Sequence, residues 1–155
     1  MRTILGIDPG ISILGFGVMR SEGRALTLID YGCLTLRSTD SIQNRLKQIH
    51  DVLLEKIRLW NIQEVALEVP FLGKNAQNFL KLGYVRGIIY LLAAQHDLRI
   101  HEFAPREIKL KITRFGGAQK DQVARVVMQL FPGLSWPQRF DMTDAIAVTL
   151  CGVWK

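Results

Sequence analysis

Four carboxylates stand where the sequence pattern predicts that a strand ends or a helix begins. Asp8 closes an apolar run of strand length and is followed at once by a Pro-Gly turn. Glu68 falls near the end of a second strand-like run, and Asp141 and Asp144 fall in the first turn of the last helical segment. Carboxylates on rigid elements are suitable ligands for hard cations such as Mg²⁺ or Mn²⁺. Two such ions ~3.5–4 Å apart would clamp the attacking and leaving oxygens of a phosphodiester displacement.

Each of these acids also has a simpler interpretation. Asp8 can merely open the turn that follows it. Asp141 can cap the last helix, with Asp144 supporting it as in a capping box. The two are three residues apart and so face the same way on a helix. The combination favours chemistry, because all four acids converge if the first and fourth strands are neighbours in the sheet.

The elements that must position these acids form an α/β pattern. Three consecutive strand-like segments predict an antiparallel meander. A long helix between the third and fourth strands implies a parallel crossover, so we expect a five-stranded mixed sheet flanked by helices on both faces, in one domain over residues 1–155. The predicted strands span residues 3–8, 12–19, 25–36, 62–69 and 98–103, and the helices span residues 42–60, about 76–95, two within 105–129, and 141–154.

The composition describes a folded protein, with 48% hydrophobic and 22% charged residues in a chain of 155. No apolar run is long enough to span a bilayer, and no charged leader precedes a cleavage site, so we expect neither membrane insertion nor secretion. Cys33 and Cys151 are too few for a disulfide framework and lie in apolar surroundings. We expect both to be reduced and buried in a cytoplasmic protein.

The charge balance makes a polyanionic partner plausible. The net charge is +6 and the pI is about 9.6. Leaving out the four candidate acids, 20 basic and 10 acidic side chains remain, an excess of +10. Acid concentrated at one point of a basic body suits a nuclease. Residues 99–125 alone carry seven Lys or Arg against three acids, which forms either a solvated face or the border of the site.

Three other positions have structural interpretations. Trp60 is expected in the core rather than at a ligand. Gly83 and Gly87 lie four apart in a predicted helix, where each glycine costs about 1 kcal/mol relative to alanine. Close approach to a neighbour would offset that cost. We take the sheet as the expected neighbour, with a second subunit as the alternative.

Several short motifs, in this order and spacing, carry a family resemblance. The chain resembles the RuvC family of bacterial Holliday-junction resolvases, within the RNase H-like superfamily, over residues 5–150. The motifs are Leu5-Gly-Ile-Asp-Pro-Gly10, Lys74-Asn-Ala76, Leu80-Lys-Leu-Gly83, Arg86-Gly87, Lys120-x-Gln-Val123 and Thr143-Asp-Ala-Ile-Ala147.

This resemblance implies a homodimer that resolves four-way DNA junctions by paired, symmetric nicks and leaves ligatable ends. It implies Mg²⁺ or Mn²⁺, two ions per site, held by Asp8, Glu68, Asp141 and Asp144. The dimer would form through the helix around residues 80–89. A partnership with the RuvA–RuvB branch-migration complex is a further family expectation.

The resemblance also assigns DNA contacts. Lys109 and Lys120 match basic residues near the cleaved strand, where an ammonium would stabilise developing phosphate charge; otherwise they are ordinary surface lysines. Phe71 matches an aromatic residue that stacks on unpaired bases, or else folds back onto the core. Further predicted DNA contacts are Lys74, Asn75, Lys81, Arg86, Arg106, Lys111 and Arg114.

Two departures and two alternative functions accompany the resemblance. Val69-Pro70 follows Glu68 where relatives have a polar residue and no proline, and Gln138-Arg-Phe-Asp141 replaces small residues before the first helical acid. One alternative is a branched-DNA binding module that has lost catalysis. The other is a nucleotide phosphotransferase of the actin and sugar-kinase type, which also opens with a strand, an Asp and a glycine turn but needs two lobes.

Overall fold

The fold is a five-stranded sheet with helices on both faces, seen in a computed structural model that describes residues 1–71, 73 and 75–155. The strand order is β3-β2-β1-β4-β5. The strands are β1 Arg2–Asp8, β2 Ile13–Glu22, β3 Ala25–Thr35, β4 Glu64–Glu68 and β5 Arg99–Phe103. The helices in the described part of the chain are α1 Ile42–Leu59, α2 Ala76–Gln95, α3 Pro105–Thr113, α4 Lys120–Leu130 and α5 Phe140–Val153.

The sheet combines an antiparallel meander with two parallel strands, as predicted. β1 pairs antiparallel with β2, and β2 with β3. β4 pairs parallel with both β1 and β5. The fourth strand begins later than predicted because Ile62 still closes α1, donating its backbone N–H to the carbonyl of Ile57 at 3.0 Å.

β1 is the central strand and is buried on both faces. Leu5 and Ile7 join the apolar core beneath α1 and α2. Ile4 belongs to the second core, beneath α3, α4 and α5. This alternation follows the two-residue period of a strand and explains why the run before Asp8 is continuously apolar.

The ends of α1 and α2 are fixed by local hydrogen bonds. Ser41 caps α1, its hydroxyl accepting from the backbone N–H of Asn44 at 3.2 Å. Asn75 caps α2, its Oδ1 accepting from the N–H of Asn78 at 3.0 Å. Trp60, directly after α1, is half-buried against the core, and its indole N–H donates to Asp30 Oδ2 at 2.9 Å.

Two expectations about small residues are wrong. A side chain built on Gly83 or Gly87 would meet no atom within 4 Å, so these glycines do not pack on the sheet. They lie on the outward face of α2. Cys33 is exposed rather than buried, because it lies on β3 at the edge of the sheet, whereas Cys151 is buried in α5.

A buried acid links neighbouring strands at the end of the sheet opposite Asp8. Glu64, at the start of β4, is 1% exposed and takes a two-pronged ion pair from Arg2 at 2.7 and 2.9 Å. Arg99 Nη2 also donates to it at 2.8 Å, and His101 Nε2 lies 2.6 Å from its second oxygen. The paired guanidinium of Arg2, together with His101, holds the pKa of Glu64 down at about 2.

None of the helices in the described ranges is long and apolar enough to cross a bilayer.

Candidate active site

Three of the four predicted acids line one cleft. Asp8 ends β1 and Glu68 ends β4. Because these strands are parallel neighbours, both carboxylates lie at the same end of the sheet. The two carboxylates are close enough for each to shift the pKa of the other. Asp144, from α5, lines the same cleft of about 300 Å³. Residues more than 130 positions apart are thus brought together by strand adjacency and helix packing.

Glycines on the sheet allow α5 to pack closely, so that Asp144 reaches the cleft. Gly15, on β2, lies opposite Asp8 in the strand register. A Cβ at Gly15 would overlap the carbonyl oxygen of Asp141 in the first turn of α5, and one at Gly6 would overlap Thr149 further along. Thr149 donates its hydroxyl to the Ala145 carbonyl at 2.7 Å and lies against the strands. The helix therefore rests directly on the backbone of the sheet.

This contact makes Gly15 a sensitive position. We expect Gly15→Ala to destabilise the protein by about 1–3 kcal/mol, because the added methyl must push the first turn of α5 away from β2. DNA cleavage should fall as well, since Asp144 moves with that turn. Chemical denaturation measures the first effect. Gly133→Ala is the matched control, because a Cβ there meets nothing within 4 Å; equal stability of the two variants would contradict the account.

All three clustered carboxylates have a raised pKa. Burial, together with the adjacent carboxylates of Glu68 and Asp144, raises the pKa of Asp8 to about 9. Burial also raises the pKa of Glu68, although the adjacent Asp8 opposes the shift. The pKa of Asp144 is raised, again chiefly by burial. The cluster is therefore costly to ionise unless cations offset its charge.

Two lysines also line the cleft. Lys120 Nζ lies 2.9 Å from Asp144 Oδ2. Desolvation lowers the pKa of Lys120, but the hydrogen bond and the charge of Asp144 outweigh it, so the net shift is upward and the ammonium stays charged. Lys109, on α3, faces the same cleft and stabilises the ionised forms of Glu68 and Asp144.

Asp141 lies beside the cleft rather than in its lining. α5 begins at Phe140 with Arg139 at the N-cap position, and no side-chain hydrogen bond caps it. The capping interpretation of Asp141 is therefore wrong, because Asp141 is already inside the first turn. Its charge still reaches Asp144 and Lys120.

The donor set is that of a hard-cation site. All the clustered acids offer carboxylate oxygens, which Mg²⁺ and Mn²⁺ prefer, and their raised pKa values show that ionising them together is unfavourable without a nearby cation. As their side chains stand, no group of three or more His, Cys, Asp or Glu in residues 1–71, 73 and 75–155 is arranged to hold a metal ion. The residues fit a cation in chemistry and need side-chain adjustment to bind one.

The aromatic residue predicted to contact DNA is exposed to solvent. Phe71 follows β4 and its side chain is 84% exposed, so the alternative in which it folds back onto the core is wrong. Lys74, predicted as a DNA contact, lies outside the described residues. Asn75 uses its side-chain oxygen to cap α2.

The remaining predicted DNA contacts are not gathered at one place. Arg86 is tied to Glu102 by an ion pair of 3.0 Å and also donates to Tyr90. Lys111 lies over the Phe103 ring, 4.8 Å from its centroid, and 3.8 Å from Glu107. Lys81 on α2, Arg106 on α3 and Arg114 at the end of α3 are exposed.

Sequence reasoning missed the apolar walls of the cleft and its far border. Leu82, Ile108 and Val123 line it from α2, α3 and α4. Cys33 comes close because it pairs with Gly15, which pairs in turn with Asp8. No sequence motif marks these positions. The proximity of Cys33 to the cleft follows only from the pairing register of β1, β2 and β3.

The fold and the acidic cleft are those of an RNase H-like nuclease. The family model described as "Crossover junction endodeoxyribonuclease RuvC" matches residues 4–152. The chain belongs to this RuvC family of crossover junction endodeoxyribonucleases. It is 41% identical over 152 residues to the RuvC of Pelodictyon phaeoclathratiforme, covering 98% of this chain and 80% of that one. It is 37% identical over 151 residues to the RuvC of Legionella pneumophila, covering 97% and 86%.

Solved structures agree. The Thermus thermophilus RuvC structure matches with a TM-score of 0.87 and 25% identity, covering 98% of this chain and 93% of that one. The same protein in complex with a Holliday junction substrate matches with a TM-score of 0.88, 25% identity and coverage of 97% and 92%. The yeast mitochondrial resolvase Ydc2, at 11% identity and a TM-score of 0.68 over 94% and 75% of the two chains, shares the fold.

Proposed function

We propose that this protein resolves four-way DNA junctions by paired, metal-dependent nicks as a homodimer. The observation that carries the proposal is the convergence of Asp8, Glu68 and Asp144 in one cleft beside Lys109 and Lys120. A Holliday junction is the substrate bound by the Thermus thermophilus relative. We also propose that the protein acts in the cytoplasm, where chromosomal DNA would be its substrate.

Divalent cations would be held by Asp8, Glu68 and Asp144, with Asp141 beside them. When bound, Mg²⁺ or Mn²⁺ would lower the pKa of a water nucleophile and stabilise the leaving oxygen. Lys120 carries a full positive charge next to Asp144 and is placed to bind a phosphate oxygen. Lys109 adds a second positive charge at the same phosphate. The walls of Leu82 and Ile108 limit the water that reaches these groups.

The test is cleavage of a labelled mobile four-way junction with mapped nick positions. We expect symmetric nicks in opposed strands with Mg²⁺, none with chelator, and little cutting of a linear duplex of the same sequence. Tight junction binding without cleavage in either Mg²⁺ or Mn²⁺ would favour the binding-module alternative. Cutting of linear duplex and junction at equal rates would contradict junction selectivity.

The outward face of α2 supports the homodimer. Leu80, Tyr84 and Leu91 are 57%, 44% and 50% exposed, and with Gly87 they follow the spacing of one helix face. Glycine at the centre of such a stripe allows two helix backbones to approach closely. A second copy of this chain would cover the stripe, and a two-fold dimer would present two clefts to two opposed strands.

Leu91→Asp is expected to shift the protein from dimer to monomer, because a carboxylate within an apolar interface would be buried without a partner. The dimer dissociation constant should rise by about 100-fold or more. Light scattering across a dilution series measures it. Leu59→Asp is the matched control, since Leu59 is 60% exposed on α1. A dimer that survives Leu91→Asp would count against this interface.

A further inference from the structure

An aromatic and basic segment, residues 136–140, leads into α5, whose first turn lies beside the acidic cleft. Trp136 is 51% exposed, and its ring packs edge-on against Phe140 with centroids 6.1 Å apart. Phe140 is half-buried and anchors this pair at the start of the helix. Arg139, between them in sequence, is exposed.

The segment lies on the side of the cleft away from the lysines. The turn that follows Arg139 packs on Gly15, whose strand neighbours in register are Asp8 on one side and Cys33 on the other. Partial desolvation raises the pKa of Cys33, and so do the charges of Asp141 and Asp8, whereas Arg139 lowers it. Arg139 is thus within electrostatic reach of β3, the strand at one edge of the sheet.

Lys109 and Lys120 approach from the other side. Lys109 lies on α3, which directly follows β5 at the opposite edge of the sheet. The acids therefore have positive charge on both flanks. A DNA strand crossing the cleft would meet lysines before the acids and an arginine after them.

Arg139 is available to bind an anion. No carboxylate in the described ranges lies within ion-pairing distance of its guanidinium, whereas Lys120 is paired with Asp144. A guanidinium binds a phosphate with two parallel hydrogen bonds. The exposed indole of Trp136, in the same segment, offers a flat surface on which a base or sugar can stack.

We propose that Arg139 and Trp136 bind the DNA strand where it leaves the acidic cleft on the β3 side, Arg139 at a phosphate and Trp136 by stacking. This rests on the proposed function, because it extends the DNA path through the same cleft. DNA fits better than a protein partner, because an exposed ring and an exposed cation lie three residues apart in the segment before α5, in a chain of net charge +6.

The experiment measures binding of a fluorescent four-way junction without divalent ions, by anisotropy, between about 50 and 200 mM salt. Arg139→Gln should weaken binding by about 3- to 10-fold and reduce the slope of log affinity against log salt by about 0.9, the value for one lost phosphate contact. Arg139→Lys should restore that slope. Arg24→Gln is the control, because it removes the same charge from the β2–β3 turn at the far end of the sheet.

Trp136→Ala should weaken binding by about 5-fold or more at every salt concentration, since stacking does not release counterions. Trp136→Phe keeps the ring and should retain most of the affinity, which separates stacking from folding. Wild-type affinity and salt slope in both Arg139→Gln and Trp136→Ala would overturn the inference while leaving junction cleavage intact. Absence of junction binding and cleavage by the unmodified protein would overturn the proposed function as well.

Discussion

Asp8→Asn is expected to bind four-way junctions with near wild-type affinity and to cut them about 10³-fold more slowly or worse. Asparagine keeps the shape of the side chain but removes the charge at the centre of the cluster, next to Glu68 and Asp144. Losing about 4 kcal/mol of transition-state stabilisation corresponds to that factor. Single-turnover cleavage with Mg²⁺, alongside a binding assay in chelator, separates the two effects.

The matched control is Asp51→Asn, which removes an equal charge from an exposed acid on α1 that pairs with Lys47. It should leave cleavage unchanged. Full cutting by Asp8→Asn would show that Asp8 is not an active-site residue.

The same variant should be more stable than the wild type when divalent ions are absent. The pKa of Asp8 is about 9 in the folded protein, above its ordinary value of 3.8. The stability contributed by protonated Asp8 is therefore complete below about pH 4 and is lost as the pH rises through 9. Asp8→Asn removes this loss, so at pH 8 in chelator its unfolding free energy should be higher by about 1–3 kcal/mol. A variant less stable than the wild type under those conditions would contradict the assigned burial of Asp8.

Glu64→Gln has the largest expected effect on stability. Glutamine leaves the guanidinium of Arg2 and the ring of His101 facing a neutral amide in a nearly water-free position. Breaking a buried ion pair costs about 3–5 kcal/mol, and the exposure of Arg99 reduces this to about 2–4 kcal/mol. The melting temperature should fall by about 6–12 °C.

The pH dependence of that effect has a definite sign. The pKa of Glu64 is about 2, below its ordinary value of 4.5. Its stabilisation is therefore complete above about pH 4.5 and is lost as the pH falls toward 2. Glu64→Gln should unfold earlier at neutral pH yet differ little from the wild type at pH 2. Glu55→Gln, at an exposed acid on α1, is the control; an equal loss in both variants would show that the network contributes nothing specific.

Much of the fold followed from local pattern. The apolar run before Asp8 and the helical spacing over residues 42–60 identified their elements to within a few residues. A crossover helix fixes the parallel direction of a strand but not its neighbour, so the meeting of Asp8 with Glu68 depended on the adjacency of the first and fourth strands, which the structure shows. The proximity of Asp144 to these two acids could be predicted only conditionally, because it depends on how α5 packs on the sheet.

What the sequence could not supply is information held in packing between distant segments. Gly15 looks like one small residue among several in β2, and only the contact with Asp141 gives it a role. Gly83 and Gly87 were misplaced because helical spacing alone does not say which face of α2 meets the sheet. Cys33 was expected to be buried because its neighbours are apolar, but its strand is at the edge of the sheet.

The central claim is that acids far apart in the chain hold cations together, and Mn²⁺ binding measured by calorimetry without DNA tests it most directly. The account predicts that Asp8→Asn, Glu68→Gln and Asp144→Asn each weaken Mn²⁺ binding by about 10-fold or more, whereas Asp51→Asn binds as the wild type does. Unchanged Mn²⁺ affinity in all three cleft variants would contradict it.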